Sequence, residues 1–446
     1  YDIKIYNLNG VSRIPWNITN VATNRKDFSK FYDLKQFGDC EIYQLDELDL
    51  GTFQDCINLD VTANDIAERC VELSVFARNL FLRCSIVEAK NSANWDTSNI
   101  ISFRSTFNNN TNIIIDCSNW DMSQVETIAG IFANCGNLNP NVTNWNISSN
   151  CVDIVSTFLN LPNFERNLSN WDVSGVTTMD SAFEKCTNFL GNGVDSWVTS
   201  SVLTNLRDCF NEARNFDADL SNWDVTGVTN MFQTFRLNNK FKGDGLENWV
   251  TSSLTTMYRT FDGGLQFNAD LSNWDATNVT NMESAFRGCS IFEGTGMNNW
   301  TTSSSLSNMS RAFQSAPQFN GNLQGFDVSG VTRLEFCFFN DSSFEGDGLD
   351  TWVTSSLINL NSVFDGTNLN QDLSGWDFSN VTNMTNWGRN WGMDTNNYDL
   401  LLLSLSTQSL NSNLTNVFMS SKYTAGEVTN GVTDGANTNK LIDSTQ

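Results

Sequence analysis

Apolar and polar positions along this chain follow one recurring block of ten residues. The block is clearest at 168–177, Leu-Ser-Asn-Trp-Asp-Val-Ser-Gly-Val-Thr, and it returns with small changes at 220–229, 271–280 and 373–382. Leu, Val, Met or Cys lies three residues before most of the repeated tryptophans, and Val or Leu follows five or six residues after most of them. A Met, Leu or Ile follows eight or nine residues after the tryptophan, and a Phe follows twelve or thirteen residues after it. A fixed period of this length is typical of repeat proteins.

The tryptophans define the period, because successive ones lie 24 to 26 residues apart. A unit of this size cannot bury its own apolar face, so neighbouring units must stack. The sequence therefore predicts a solenoid whose core contains a structural ladder of aromatic residues: Trp95, Trp120, Trp145, Trp171, Trp197, Trp223, Trp249, Trp274, Trp300, Phe326, Trp352 and Trp376.

Each coil is predicted to contain one strand and one helical turn. The spacing of four residues between Met179 and Phe183 is helical, so this segment predicts a single helical turn. The Leu-Ser-Asn-Trp-Asp stretch predicts a short strand. Stacked copies of that strand would form a parallel sheet with about 4.8 Å between coils. The expected fold class is therefore an α/β repeat solenoid of coils of about 25 residues.

Two kinds of coil alternate, and one of them contains a Gly-x-Gly element. These elements recur every 51 or 52 residues, so the full unit is a pair of coils. Two of them are Gly-Asp-Gly, which makes Asp244 and Asp347 weak candidates for calcium ligands. Calcium needs six to eight oxygen ligands, and the matching coils carry Asn192 and Thr295 instead. We therefore favour tight-turn glycines and predict no metal site.

The repeat divides the chain into three regions. Residues 1–90 are predicted to form an N-terminal cap with degenerate repeats, because Phe53-Gln-Asp-Cys56 and Phe81-Leu-Arg-Cys84 are faint copies of later segments. Residues 91–391 form the tandem array of about 12 coils. Residues 392–446 are predicted to form a C-terminal cap, with a helix at 398–403 and a strand at 414–419. Terminal units of solenoids depart from the consensus because one face meets water.

Composition excludes several classes of function. The formal charge of −25 argues against nucleic acid and anionic membrane surfaces as partners. The absence of histidine removes Ser-His-Asp and Cys-His nucleophile systems and the usual zinc sites. No apolar run approaches the roughly 20 residues of a membrane span. The sequence therefore predicts no cofactor, no nucleic-acid partner and no membrane insertion.

The chain contains eleven cysteines, so at least one is unpaired within a single chain. Their density rises toward the N-terminus, as expected if disulfides stabilise a terminal cap in an exported protein. Cys56 and Cys84 share one coil position, and Cys186 and Cys209 lie in adjacent coils. These two pairs are candidate disulfides, and buried free thiols are the competing interpretation.

Two polar columns flank the tryptophans, and each has two interpretations. An Asp follows many of them and could form an acidic ladder for cations, although capping of the next turn is favoured. An Asn precedes many of them and could bind carbohydrate, although a stacked amide ladder that satisfies backbone groups is favoured. The Phe and Trp stripes are expected to be core rather than a platform for sugars.

The Leu-Ser-x-Trp-Asp-Val-Ser-x-Val-Thr-x-Met-x-x-x-Phe unit resembles the repeat of BspA-like surface proteins, which is also found in mycoplasma lipoproteins. The resemblance covers about residues 92–390. That family is usually grouped with the leucine-rich repeats, so the resemblance implies a leucine-rich-repeat-like stack. It also implies a secreted or surface-displayed, non-enzymatic protein for adhesion or recognition.

The leading functional hypothesis is a repeat protein, extracellular or displayed on a cell or virus particle, whose side surface binds a protein or glycan. A second hypothesis is structural, with identical chains that self-assemble through their flanks as a coat, decoration or filament. A third hypothesis is an enzyme acting on polysaccharide, because parallel solenoids can carry paired acids. The regular repeat argues against an enzyme, since no coil between 92 and 380 shows a singular acidic cluster.

Overall fold

Stacked turns, rather than long helices or strands, make up most of the part of the chain that the structure describes. The computed structural model describes residues 77–84, 88–89, 92–414, 418–421 and 442–443. The chain forms two compact units, Tyr1–Asp224 and Val225–Gln446. The described strands and the α-helix are short: β1 Glu88–Ala89 and β2 Ile114–Ile115 in the first unit, and β3 Gly388–Trp391, α1 Thr395–Thr407, β4 Phe418–Ser421 and β5 Ile442–Asp443 in the second.

Short 3₁₀ helices mark the Gly-x-Gly coils. They span Val194–Ser196 in the first unit and Leu246–Asn248, Met297–Asn299 and Leu349–Thr351 in the second. A further one spans Ser92–Asn94. Each Gly-x-Gly helix follows a glycine in the left-handed region, such as Gly193 with φ 85°. A Cβ on Gly193 would lie 2.3 Å from the backbone nitrogen of Ser169 in the preceding coil. The tight turn and the close approach of the two coils both require glycine at this position.

The tryptophans stack one on another in the core of each unit. In the first unit the ring centroids of Trp120 and Trp145 lie 6.1 Å apart with the planes 7° from parallel. In the second unit those of Trp274 and Trp300 lie 6.2 Å apart at 5°. Phe326 takes the place of a tryptophan and stacks on Trp300 at 6.1 Å. All twelve residues of the structural ladder are buried, so each unit has a continuous aromatic core.

The predicted strand at Leu-Ser-Asn-Trp-Asp is wrong. In the Trp171 coil this stretch is a tight turn, because the backbone N–H of Trp171 donates to the carbonyl of Leu168 over 3.1 Å. Parallel bridges between coils occur instead seven or eight residues after the aromatic ladder residue. We call these bridging residues the bridge column: Ser102, Thr127, Asp153, Thr178 and Asn205 in the first unit, and Asn230, Thr256, Asn281, Asn308, Arg333, Asn359 and Asn383 in the second.

The predicted helical turn between Met179 and Phe183 is also wrong. The N–H groups of Met179 and Phe183 donate to carbonyls of the next coil, over 3.0 Å to Asn205 and 2.9 Å to Cys209. Ser181, between them, adopts a left-handed φ of 54° and also donates to the next coil. Alternate residues therefore hydrogen-bond between coils, as in a parallel sheet. The spacing of four residues between Met179 and Phe183 therefore belongs to backbone that bonds to the next coil, and not to a helix.

The last residues of the predicted repeat array form β3, which belongs to a parallel sheet of order β3-β4-β5. Helix α1 and strands β4 and β5 lie within the predicted C-terminal cap, residues 392–446. The predicted helix lies within α1, and the predicted strand overlaps β4. The side chain of Gln408 accepts from the N–H of Phe378 over 2.8 Å and donates to the carbonyl of Trp376 over 2.7 Å. It thereby replaces the contacts that a further coil would make. Most of the predicted N-terminal cap, residues 1–76, lies outside the described residues.

Candidate recognition face

One outer surface of each unit is formed by the bridge column together with the residues two, three and six positions after it. We call this surface the bridge face. The residues one and five positions after the bridge point into the core, as Met257 and Phe261 show, since both are buried. Between them, Tyr258 and Arg259 are partly exposed. Side chains at several of these intervening positions are therefore available for contact with another molecule, whereas others, such as Ser284 and Ser310, are buried.

Small and polar residues dominate the bridge face of the first unit. Four of its charged side chains form pairs: Arg104 lies 3.5 Å from Asp153, and Arg207 lies 3.2 Å from Asp208. No aromatic residue occupies these positions in the described part of the first unit. This surface therefore shows what the repeat presents when its outer positions are not specialised.

The bridge face of the second unit is different, because aromatic and arginine residues replace the small ones. The aromatic residues are Phe232, Tyr258, Phe336 and Phe339. The arginines are Arg236, Arg259, Arg287, Arg311, Arg333 and Arg389. Only two other cationic residues, Lys240 and Lys242, occur within 225–414. Positive charge in this part of an acidic protein is therefore concentrated on one face.

The aromatic rings on this face stack with one another and with guanidinium groups. Phe232 and Tyr258 lie 4.7 Å apart at an interplanar angle of 16°. The guanidinium carbon of Arg259 lies 5.2 Å from the centroid of the Tyr258 ring. Two coils further along, the guanidinium carbon of Arg311 lies 5.2 Å from the centroid of the Phe336 ring. Cation–π contacts of this kind hold the arginine side chains in defined positions.

Asp262 is the centre of a cluster of three arginines. Arg287 donates to its two carboxylate oxygens over 2.7 and 3.1 Å. Nε of Arg236 lies 3.7 Å from Asp262 and Nε of Arg259 lies 3.9 Å from it. The Asp262 side chain is only 2% exposed. A buried carboxylate is tolerated here because guanidinium groups surround it.

A second ionic network extends this surface. Arg333 donates to Glu335 over 2.8 Å and lies 3.7 Å from Glu283, which also accepts from the amide of Asn308 over 2.8 Å. The hydrogen bond to Glu335 raises the pKa of Arg333 above its usual value. Arg389 makes a comparable pair with Asp365 at 2.7 Å. The face thus presents ordered charged groups rather than freely moving ones.

Hydrogen bonds from the backbone to bridge-column side chains fix the turns that carry the residues of this face. The amide oxygen of Asn281 accepts from the N–H of Glu283 over 2.9 Å, and Asn308 caps Ser310 in the same way over 3.0 Å. Such turns favour Asn, Asp and Thr because their short side chains reach the backbone two residues on. Arg333 cannot accept a hydrogen bond, so its place in the bridge column departs from the repeat.

Bulky residues occupy left-handed backbone positions on this face. Arg259, Arg311 and Phe336, each three residues after a bridge, have φ of 53°, 57° and 59°. Large side chains are uncommon in this region, and other coils carry Ser at the same position as these three. Strain of this kind is often retained where a side chain has a function.

The structure does not place the candidate calcium ligands, Asp244 and Asp347, in a metal site. No group of three or more Asp, Glu, His or Cys residues able to hold a metal surrounds Asp244, Asp347 or any other part of the described chain. Asp347 instead accepts from the amide of Gln371 over 3.2 Å. The glycines beside both aspartates have positive φ, between 90° and 96°. These loops are therefore tight turns.

The polar columns beside the tryptophans serve the backbone. Asp121 accepts from the N–H of Ser123 over 2.9 Å, and this hydrogen bond lowers the pKa of the carboxyl. The amide of Asn170 donates to the carbonyl of Thr143 in the preceding coil over 2.9 Å. Neither column needs a ligand to explain it.

The disulfide between Cys186 and Cys209 is not formed, since both residues are buried free thiols. Sγ of Cys186 donates to the carbonyl of Phe158 over 3.0 Å, which directs the sulfur toward the preceding coil. Cys84 is buried, and its proposed partner Cys56 lies outside the described residues. Burial raises the pKa of Cys135 and Cys151 to about 12. A raised pKa disfavours the thiolate, which is the reactive form of cysteine.

Sequence reasoning missed the bridge face of the second unit. Its signal was present, because Tyr258, Arg259 and Phe336 stand where other coils have Ser or Asn. A functional site was expected to appear as a cluster of acids, whereas these residues are aromatic and basic.

Comparison with known families agrees with the repeat. The family described as "Mycoplasma protein of unknown function, DUF285" matches five overlapping segments: 76–197, 152–263, 177–300, 231–330 and 280–398. The chain belongs to this family. The five matches show a tandem repeat protein, and the mycoplasma assignment agrees with the resemblance seen in the repeat unit. No curated protein and no solved structure matches the chain. In the described residues, the helices lack the length and apolar character that crossing a membrane requires.

Proposed function

We propose that this protein is a non-enzymatic, BspA-like recognition protein, secreted or displayed on the surface of a cell or virus particle. Its bridge face binds a protein or glycan on another surface. The aromatic and arginine residues of the second unit carry this proposal, because they replace small residues that the fold itself tolerates at the same positions. Aromatic and arginine side chains are the ones most enriched among residues that dominate binding energies.

Acidity and rigidity support a recognition role. The formal charge of −25 keeps the protein soluble and disfavours nucleic acid, so binding depends on a local surface rather than on general attraction. The arginines are held by stacking and ion pairs, which reduces the entropy lost on binding. The same face of the first unit provides a natural comparison within one chain.

The test uses the chain's own small residues as replacements. A variant with Tyr258→Ser, Arg259→Ser, Arg311→Ser and Phe336→Ser copies residues found at the same positions in other coils. Binding of wild type and variant to glycan arrays and to intact cells is measured at equal concentration. We expect binding by the wild type and a loss of at least about tenfold in the variant. Arg104→Ser and Arg207→Ser, on the first unit, form the matched control and should bind normally. Equal binding by all three proteins would reject the proposal.

A structural role is the second candidate, and an apolar row supports it. Val250 and Val353 directly follow ladder tryptophans and are 47% and 60% exposed. The equivalent residue in the intervening Gly-x-Gly coil is Thr301. Exposed apolar side chains at a regular interval favour packing against another copy of the chain. Sedimentation velocity over a wide concentration range tests this role. Assembly that disappears in Val250→Thr/Val353→Thr would favour it, and a monomer at all concentrations would exclude it.

A polysaccharide-acting enzyme is the weakest candidate. Asp262, Glu335 and Asp365, the buried carboxylates of the second bridge face, are each paired with an arginine at 2.7 or 2.8 Å. Glycoside hydrolysis requires two free carboxyl groups on opposite sides of a cleft. These three carboxylates instead hold guanidinium groups in place. Loss of hydrolytic activity on mutating a pair of these acids would be needed to revive it.

A further inference from the structure

Positive charge exceeds negative charge around Asp262. Its carboxylate already accepts two hydrogen bonds from Arg287. Arg259 approaches the same carboxylate only to 3.9 Å, and its side chain is 30% exposed. One carboxylate cannot neutralise both guanidinium groups. Arg259 therefore retains donors and charge for a further oxyanion.

Arg311 forms no ion pair within the described part of the chain. Its guanidinium group lies over the ring of Phe336, and within the described part of the chain no Asp or Glu oxygen comes within 4.0 Å of it. An aromatic ring positions a guanidinium group without neutralising it. Arg311 is thus a second cation on the same face, held in place and available to an anion.

Arg259 and Arg311 each lie three residues after a bridge, in coils separated by one intervening coil. The intervening coil carries Ser284 at that position, so only a small side chain lies between the two arginines. Ser284 is fully buried, which leaves the surface between the two guanidinium groups open to a ligand. Neighbouring coils in a parallel ladder lie about 4.8 Å apart, which puts the backbones of Arg259 and Arg311 about 10 Å apart.

The aromatic pair also favours an anion. Phe232 and Tyr258 stack face to face, so their faces are largely occupied by each other. Stacked rings present their edges, which carry partial positive charge, whereas neutral sugars pack on ring faces. This pair is therefore a poor platform for a neutral glycan and a suitable border for an anionic group.

We propose that Arg259 and Arg311 form an oxyanion-binding subsite, in which each guanidinium group contacts one acidic group of a carboxylate- or sulfate-bearing glycan. This inference rests on the proposed recognition function and names its ligand class. A glycan is favoured over an acidic peptide because coil-to-coil hydrogen bonds occupy the backbone of this face, leaving no strand edge for a peptide to extend. The hydroxyl and amide side chains of the bridge column suit sugar hydroxyl groups as donors and acceptors.

The test compares polymers that share one backbone. Neutral dextran, carboxymethyl-dextran, dextran sulfate and poly-glutamate are offered to the immobilised full chain at physiological ionic strength, where the Debye length is about 8 Å. That screening limits repulsion by the acidic remainder of the surface. We expect the two charged dextrans to bind, and neutral dextran and poly-glutamate to bind at least about tenfold more weakly.

Point variants locate the site. Arg259→Gln and Arg311→Gln should each weaken binding of the charged dextrans by about tenfold, because each removes a charge-assisted contact. Arg259→Lys should give an intermediate loss, since lysine keeps the charge but not the planar fork. Arg104→Gln, on the first unit, is the matched control and should change nothing. Tryptophan fluorescence and circular dichroism establish that each variant is folded.

Each outcome decides the inference. Equal binding of neutral and charged dextrans, or unchanged binding by both glutamine variants, would overturn the oxyanion subsite while leaving the recognition function standing. Equal binding of poly-glutamate would overturn the choice of a glycan. If the wild type bound no polymer here and nothing on glycan arrays or cells, the proposed function would fail with it.

Discussion

Arg287 donates two hydrogen bonds from its guanidinium group to the carboxylate of Asp262 in the preceding coil, over 2.7 and 3.1 Å. The two residues are 25 positions apart in sequence, so only the stacking of coils brings them together. The pair links neighbouring coils on the outer surface, away from the stacked aromatic rings of the core.

Removal of Asp262 should destabilise the second unit. Asp262→Ala leaves Arg287, Arg259 and Arg236 close together without the central carboxylate. We expect a loss of roughly 1–3 kcal/mol in the free energy of unfolding, below the value for a fully buried pair because the arginines are partly exposed. Urea denaturation followed by tryptophan fluorescence measures it. Asp244→Ala, at an exposed turn, is the control and should change stability by less than about 0.5 kcal/mol. Equal effects of the two substitutions would contradict this account.

The aromatic stack should tolerate phenylalanine better than alanine. Trp300 is 1% exposed, stacks on Trp274, and donates from Nε1 to the carbonyl of Leu271 over 2.9 Å. Trp300→Ala should cost about 3–5 kcal/mol because it leaves a large cavity. Trp300→Phe should cost roughly 1–2 kcal/mol, since a ring remains and one hydrogen bond is lost. Phe326, which stacks in the same ladder, shows that the fold accepts a phenylalanine there. Thermal unfolding of the two variants gives the comparison, and a similar cost for both would refute the importance of stacking.

Asp341 should make the protein less stable as pH rises. It is fully buried, Oδ1 accepts from the N–H of Ala316 over 2.7 Å, and Oδ2 has no partner. Burial raises the pKa of Asp341 well above its ordinary value of 3.8. The folded state therefore binds the proton more tightly than the unfolded state. This group's contribution to stability is fully present below pH 3.8 and is lost as pH rises from there through the raised pKa.

Asp341→Asn should remove that dependence and stabilise the protein at neutral pH. Asn110 occupies the same coil position and donates from Nδ2 to the carbonyls of Phe81 and Phe107, both over 2.7 Å. An asparagine amide at 341 can donate to the equivalent carbonyls, so we expect a gain of about 1–3 kcal/mol at pH 7. The gain should shrink as the pH approaches 3.8. Chemical denaturation at pH 4, 5.5 and 7 tests this, and a constant difference between variant and wild type would count against it.

The buried thiols should resist modification in the folded protein. Cys117, Cys186, Cys209, Cys289 and Cys337 are buried, and desolvation raises the pKa of each. We expect iodoacetamide at pH 8 to leave them unmodified in native protein and to modify all five after unfolding without reductant. Peptide mapping by mass spectrometry distinguishes the positions. Cys186 and Cys209 modified only after reduction would restore the disulfide that the structure lacks.

The candidate site was only partly predictable. The sequence shows that Tyr258 and Phe336 depart from the usual residues of their columns. It does not show that the columns face outward, because the expected strand was assigned to Leu-Ser-Asn-Trp-Asp. Because the strand was placed in the wrong segment, the residues that bridge the coils and face outward were not predicted.

The sequence by itself determined the repeat, its period and its buried residues. Tryptophans at steps of 24 to 26 residues can bury their rings only by stacking, so periodic apolar residues specify which side chains enter the core. Only the tertiary structure decided which backbone segment bridges the coils. That choice depends on left-handed residues such as Ser181 and on hydrogen bonds between residues 23 to 29 positions apart, for which local sequence carries no direct signal. The same long-range pairing places Arg287 on Asp262 and Phe232 on Tyr258, because side chains in separate coils become neighbours only when the coils stack.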